Sequence, residues 1–591
     1  MHRWTVRPAR PGRHPRRPPA GLATLAAAAV LLGGAAAGAA DRPPNVIVIL
    51  IDDQGYGDLS CHGNPILETP HLDALAADAV RLTDYHASPF CSPTRASILT
   101  GRLCRSVGVH GLNGIGQHMA VEPRTMAELY AAAGYVTGIF GKWHLGDRWP
   151  LRPMDRGFAE SVVFPDGAVS TVPDHWGNDY VDDTYLENGR PRAFKGYCTD
   201  VWFDLAIDFI ERHRERPFLC YLPTNAPHAP WIAPEKFVAA YRGRVPDDTA
   251  RFFGMIANLD GNIGRLRSRL VDLGLDRDTI VVFTTDNGTA LGSGVFAAGM
   301  RGRKGSSFDG GHRVPCFVRY PAGGIAGGRD VAALTAHIDL LPTLLDLCGV
   351  AGGDARPAFD GTSLARVLAG TADPPADRLL VESYHHIALT ERWRLVDEEQ
   401  LYDIEADPTQ QRDVAAEHPD VVRRLKEAVA AARQAEDTRP HHVTVGGGAQ
   451  DPVTLTGEDW PTKPAIFQYE MARITPWDES QVWPVAVHRP GRYRVALRRW
   501  PRETATAINA ALPRGTWCRA MQACTSINAT QAHLRLGDRT EAVAVTDDME
   551  EAVFTLDLPA GPTELRGWFT GATPERWAAR YVEVSRLPDP P

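Results

Sequence analysis

The chain has 591 residues, enough for several domains. Its 63 basic and 72 acidic residues leave a net charge of −9, so the balance gives no support to nucleic-acid binding, and 23% charged residues make an ordinary water-facing surface. Nine cysteines show no spacing that resembles a zinc site.

The first 40 residues differ from the rest. Arg3, Arg7, Arg10, Arg13, Arg16 and Arg17 precede an apolar run over 21–32, and small residues follow to Ala37-Gly38-Ala39-Ala40. This order predicts a secretory signal peptide over 1–40, cleaved near Ala39 or Ala40, and export to the periplasm or medium. The apolar run is short for a membrane span, and no later stretch predicts stable membrane insertion.

From Asn45 the pattern alternates between apolar strands and amphipathic helices. Strands are predicted over 46–51, 136–140, 218–222, 279–284 and 315–320. Helices are predicted over 71–80, 126–133, 200–213, 252–270 and 338–347. The fold class is therefore α/β, a mainly parallel sheet covered by helices on both faces. After Leu364 short strands over 379–383, 392–396 and 401–403 precede a helix over 419–433, and a polar linker is expected over 438–448. From about 450 onward short alternating strands, such as that carrying Tyr493, Val495 and Leu497, predict an additional β-sandwich-like domain. The expected division is signal peptide 1–40, catalytic domain 41–365, small C-terminal subdomain 366–440 and accessory β-domain 450–591.

Chemical groups fall just after the strands. Asp52-Asp53 follow the first, Lys142 and His144 the second, His228 the third and Asp286-Asn287 the fourth. Ligand sites in open α/β sheets lie beyond the strands' carboxyl ends, so four segments point to one place. Adjacent carboxylates are unfavourable unless a cation neutralises them. Asp52, Asp53, Asp286 and Asn287 offer oxygen donors suited to a hard cation, calcium above magnesium. Cys91-Ser92-Pro93-Thr94-Arg95 reads as a helix start. Pro93 suits the first turn, residue 91 lies where free N–H groups favour an anion, and Arg95 reaches the same point one turn on.

The stretch from Cys91 to Arg102 (CSPTRASILTGR) resembles the signature of the sulfatases, a branch of the alkaline phosphatase superfamily. Gly141–Gly146 (GKWHLG), Asn225–Pro230 (NAPHAP) and Arg301–Gly305 (RGRKG) resemble further motifs of that family. The resemblance spans roughly 43–435. Asp309 stands where the family often has glutamate, and His312 where it has an apolar residue. The resemblance implies that Cys91 is converted to Cα-formylglycine by a formylglycine-generating enzyme, and that its hydrate attacks sulfur. It implies one Ca2+ held by Asp52, Asp53, residue 91, Asp286 and Asn287. Arg95, Lys142 and Lys304 would stabilise sulfate charge, His228 would protonate the leaving alcohol, and His144 would take a proton from the second hydroxyl. The implied activity is that of a sulfuric ester hydrolase of arylsulfatase type, on sulfated carbohydrate or aryl sulfate. A phosphonate or phosphate monoester hydrolase and a catalytically silent glycan-binding protein are the alternatives. The oligomeric state is not read from the chain.

Trp149, Arg152, His175, Trp176 and Trp231 are candidates for substrate contacts, and Trp483, Trp500 and Trp568 for stacking on sugars. Cys220, Cys316 and Cys348 lie in apolar segments and read as buried thiols, while Cys518 and Cys524 are close enough for a local bridge.

Overall fold

Seven consecutive apolar or amide residues, Asn45–Ile51, form the strand on which the architecture turns, and all seven are buried. Their side chains alternate between two hydrophobic clusters. Val46, Val48 and Leu50 enter one; Ile47, Ile49 and Ile51 enter the other. A strand apolar on both faces demands cover on both faces, which is the condition of a parallel sheet in an α/β layer structure.

The computed structural model describes residues 42–112, 114–350, 358–461, 467–468, 470, 475–512 and 525–589, with residue 115 described by its backbone. The expected signal peptide and the expected Cys518–Cys524 bridge lie outside the described residues. The large sheet has ten strands: β1 (Asn45–Ile51), β2 (Val80–His86), β3 (Val136–Lys142), β4 (Glu160–Phe164), β5 (Thr184–Glu187), β6 (Arg190–Ala193), β7 (Phe218–Pro223), β8 (Thr279–Thr285), β9 (Cys316–Arg319) and β10 (Asp330–Ala336). Their order is β10-β2-β9-β8-β1-β7-β3-β4-β5-β6. The centre, β8-β1-β7-β3-β4, is parallel throughout. Antiparallel pairs join it to its edges through β9 on one side and β5 on the other, so the mainly parallel expectation holds at the core and gives way outside it.

The helices Cys198–His213 and Asp247–Asp272 pack on the face that holds Ile47 and Ile49. The helix expected over 71–80 ends earlier, at Asp78, and Val80 opens β2, which alternation in VRLTDYH permits because one face stays partly exposed. At the carboxyl end of β3, Gly141 has φ 135°, and a Cβ there would lie 1.9 Å from the Pro223 carbonyl oxygen at the end of β7. Only glycine allows these strand ends to approach so closely.

Beyond the large sheet, strands Leu380–Glu382, Ile387–Leu389, Trp393–Val396 and Gln400–Asp403 form an antiparallel sheet, against which the helix Pro419–Gln434 packs through Leu425 and Val429. Two further sheets enclose a common core around Trp483, Val495, Phe554 and Val584. The expected linker contains the strand Val443–Val445, which pairs with Trp483–Val487 and so starts this β region earlier than the composition suggests. Trp483 and Trp500 are core residues at 0% and 1% exposure, not sugar platforms. The described cysteines are all free thiols, Cys220, Cys316 and Cys348 buried as expected. No helix among the described residues is long and apolar enough to cross a membrane.

Candidate active site

Because β8, β1, β7 and β3 are adjacent and parallel, the residues that follow them leave the sheet at one edge. Asp52 and Asp53, Lys142 and His144, His228, and Asp286 and Asn287 arrive there from four strands. Cys91 comes by another route, as the first residue of the helix Cys91–Thr100, whose ten residues are all buried. Phe90 precedes it in an extended conformation, and Gly101 stops the helix at φ 66° with its N–H on the Ser97 carbonyl.

Three carboxylates meet three cations. Lys142 Nζ lies 2.5 Å from Asp52 Oδ2, and Lys304 Nζ lies 2.6 Å from Asp53 Oδ1. Arg95 donates to Asp286 Oδ2 through Nη2 (2.7 Å) and Nε (3.2 Å), and through Nη1 to the Lys142 carbonyl (3.0 Å). Its immediate partners are thus a carboxylate and the backbone of the lysine strand. Burial opposes ionisation of Asp52, yet Lys142, with His228, Arg95 and Lys304, holds its carboxyl well below the usual range. Asp286 is pushed up by burial and by Asp52 beside it.

The donor set fits a hard cation. Asp52, Cys91 and Asp286 each place one ligand atom within 4.8 Å of the others. Asn287 Nδ2 donates to Asp53 Oδ1 at 2.9 Å, which turns Asn287 Oδ1 the other way. Asn287 Oδ1 and Asp52 Oδ1 are buried acceptors with no hydrogen-bond partner. Orphaned buried oxygens are costly, and each of these two could be satisfied by an ion. With the protein charges already balanced, a divalent cation would leave the pocket positive and receptive to an anion.

The imidazoles are held in defined orientations. His144, at φ 62°, does not continue the strand direction of Lys142 as an extended loop would; the turn places its Nε2 2.9 Å from the Leu112 carbonyl. Its Nδ1 is buried without a partner, and burial, together with Lys142, keeps the ring neutral. His228 Nδ1 donates to the Ala229 carbonyl at 2.7 Å, leaving Nε2 toward Asp53 Oδ2 at 3.8 Å. Burial and then Lys304 lower its pKa. The Cys91 thiol is pushed up by burial against the pull of Lys142 and Lys304, so the unmodified side chain is a poor thiolate nucleophile.

Residues outside the expected catalytic and metal set complete the frame. The Tyr180 hydroxyl points at the His228 and Asn225 carbonyls, 2.6 and 3.1 Å away, and Trp202 Nε1 donates to Asn225 Oδ1 at 2.9 Å. Phe90 packs edge-on to Tyr384 and His385 of the C-terminal subdomain. No local pattern marks a lone loop tyrosine or an aromatic that arrives from three hundred residues away. Asp309 accepts from Arg394 Nε at 3.2 Å, and His312 Nδ1 lies 2.9 Å from His86 Nδ1, so both anchor the loop that carries Lys304.

The expected substrate contacts divide. Trp231 lies in the His228 segment, half-buried. Trp149 packs edge-on to His488, Arg152 reaches the Ala449 carbonyl, and the Trp176 backbone N–H donates to Glu503 Oε1. Arg152 and His175 line a cavity of about 770 Å³ with Arg498, Arg502 and Tyr581 of the β region, and none of the strand-end residues reaches it.

The fold and this cluster define an α/β protein with a charge-balanced, cation-fitting site at the carboxyl edge of a parallel sheet. The chain belongs to the sulfatase family, whose model matches residues 44–350. It is similar to N-acetylgalactosamine-6-sulfatase of Canis lupus familiaris, 34% identical over 348 residues that cover 54% of this chain and 65% of the relative. It thus spans just under two thirds of that relative's length. Human arylsulfatase A is 33% identical over 361 residues, covering 56% of this chain and 68% of its own. Among solved structures, Ps i-CgsB superposes with a TM-score of 0.60 at 26% identity, over 67% of this chain and 94% of that one. That protein has also been solved in complex with k-i-k-neocarrahexaose.

Proposed function

We propose that the chain hydrolyses sulfate monoesters to an alcohol and inorganic sulfate. The observation that carries this is the convergence of Cys91, three carboxylates, three cations and two oriented imidazoles on one cluster, with buried oxygens left open for a cation. Cys91, oxidised to Cα-formylglycine by a formylglycine-generating enzyme, supplies the nucleophile as the aldehyde hydrate. Asp52, Asp53, Asp286, Asn287 and residue 91 would hold calcium, which supplies Lewis-acid activation of a hydroxyl and attraction for sulfate oxygens.

The remaining roles belong to the chain's own groups. Lys142 and Lys304 counter charge on the sulfate oxygens, and Arg95 acts by fixing Asp286. His228 Nε2 delivers a proton to the leaving alcohol. Its ring is neutral at rest, and an anionic ester beside it draws the proton in. His144 Nδ1, a free lone pair, takes a proton from the side chain at position 91 so that sulfate can leave.

The substrate class we favour is a sulfated carbohydrate. The similarity to N-acetylgalactosamine-6-sulfatase and to a protein solved with neocarrahexaose supports it, and the export expected from residues 1–40 agrees with it. The test is co-expression with a formylglycine-generating enzyme, then mass spectrometry of the peptide carrying residue 91 and rates on matched aryl sulfate and aryl phosphate. A loss of about 18 Da and preferential sulfate release are expected. An unmodified thiol with no sulfate release, despite a competent maturase, would overturn the reading.

A further inference from the structure

In the β region, the sheet that contains the strands Gln531–Leu536 and Gly561–Thr570 has an outer face that the site does not use. Along the strand Gly561–Thr570, Leu565 and Phe569 enter the β-region core, so Arg566, Trp568 and Thr570 lie on the other face, where Trp568 is itself buried, at 7% exposure, beneath its neighbours. Along Gln531–Leu536, Ala532 and Leu534 enter the core, and His533 and Arg535 face outward. Register sets His533 opposite Trp568 and Arg535 opposite Arg566. Two guanidiniums directly opposite on one face repel unless an anion lies between or above them.

Trp477 stacks on Trp568 with centroids 4.5 Å apart at 29°, and His533 stacks on the same indole at 5.1 Å and 9°. Arg576 lies over Trp477 at 5.2 Å, and Arg535 lies 6.0 Å from it. Trp477 is partly exposed, while its indole N–H is buried without a hydrogen-bond partner. Two exposed carboxylates face this group. Glu479 pairs with Arg535 and is 66% exposed, and Glu564 pairs with Arg566 at 2.8 Å and is 53% exposed. Arg566 Nε also donates to the Glu479 carbonyl at 3.3 Å. The face therefore combines a stacked aromatic platform with three guanidiniums, two of them, Arg535 and Arg566, held by carboxylates that solvent can reach.

We propose that this face binds a sulfated polysaccharide strand, with a sugar ring against Trp477 and sulfate groups on Arg535, Arg566 and Arg576 in place of Glu479. Guanidinium forks match the planar edge that two sulfate oxygens present, and arginine near an indole favours an anionic, ring-bearing ligand over a plain polyanion. The proposal stands apart from catalysis, because binding is read without turnover.

The test is affinity electrophoresis of the full-length protein in gels containing dextran sulfate, neutral dextran or polyglutamate. Retardation is expected in dextran sulfate and not in the other two. Trp477→Ala and Arg576→Ala should each weaken binding by about tenfold, on the scale of one lost stacking or charge contact. Glu479→Gln should strengthen it. Arg576 is exposed, so its variant keeps the test valid if Trp477→Ala fails to fold, which the melting temperature reports. Equal retardation in polyglutamate, or wild-type retardation of both weakening variants, would overturn the proposal.

Discussion

Lys142 Nζ sits 2.5 Å from Asp52 Oδ2, and neither side chain is exposed to solvent. The lysine ends β3 and the aspartate follows β1, with β7 between them, so their contact reaches across the end of β7, which Gly141 lets β3 approach closely. Removing one partner leaves the other buried and unpaired. Lys142→Met should cost about 3–5 kcal/mol in urea unfolding, as breaking a buried pair does. A loss below about 1 kcal/mol would mean that Arg95, 3.8 Å from the same oxygen, already carries the charge.

Calcium should act on stability as well as on rate. After dialysis against a chelator, calcium at a hundredfold excess over its Kd should raise unfolding free energy by about 2.7 kcal/mol. Asn287→Ala removes one orphaned buried oxygen and should shrink the shift in melting temperature. An identical shift in the variant would place the ion elsewhere.

Replacing the nucleophile separates the proposed steps. Cys91→Ser should lower turnover by at least about 10³-fold, since a serine offers one hydroxyl where a hydrated aldehyde offers two. If the variant reacts once, sulfate should remain on the side chain at position 91, visible by mass spectrometry. Turnover at the wild-type rate would remove the need for an aldehyde.

Acid should weaken the fold through its buried imidazoles. Burial, with Arg148, lowers His118 to about 3, and burial lowers His337 to about 4. Both stay neutral in the folded chain while the unfolded chain binds protons below about 6.5. Their stability is present above that pH and is lost as pH falls through it, by about 2 kcal/mol each at pH 5. Asp58, raised to about 7 by burial, has the opposite sign and gains stability as pH falls from 7 toward 4. His118→Gln should therefore flatten the acid side of the urea-midpoint curve against the wild type. An unchanged slope between pH 7 and 5 would show that the imidazole is not held neutral.

What the sequence made legible follows from range. The β1 apolar run, the strand-end positions of Asp52, Lys142 and Asp286, and the helix start at Cys91 are local patterns, and local patterns survive folding. The sharp end of the helix at Asp78 did not, because Val80 fits the helical face as well as the strand that it opens. Trp149 and Arg152 lie close in sequence to the GKWHLG motif, yet their side chains turn to the β region, a direction that no spacing encodes. Trp568 lies on a sheet's outer face, and only the fold shows Trp477 stacked on it.

Arg148 follows the same motif, and its buried side chain donates to the Thr454 carbonyl at 2.6 Å and to Asp459 Oδ1 at 2.9 Å. The Tyr581 hydroxyl donates to the Val172 carbonyl at 3.2 Å, and His441 Nε2 meets the Gly108 carbonyl at 2.7 Å. No free tether separates the β region from the α/β layer at these points. Unfolding either part strands buried charge in the other, so heating should give one calorimetric transition, and a chain cut before residue 443 should not reach the melting temperature of the whole.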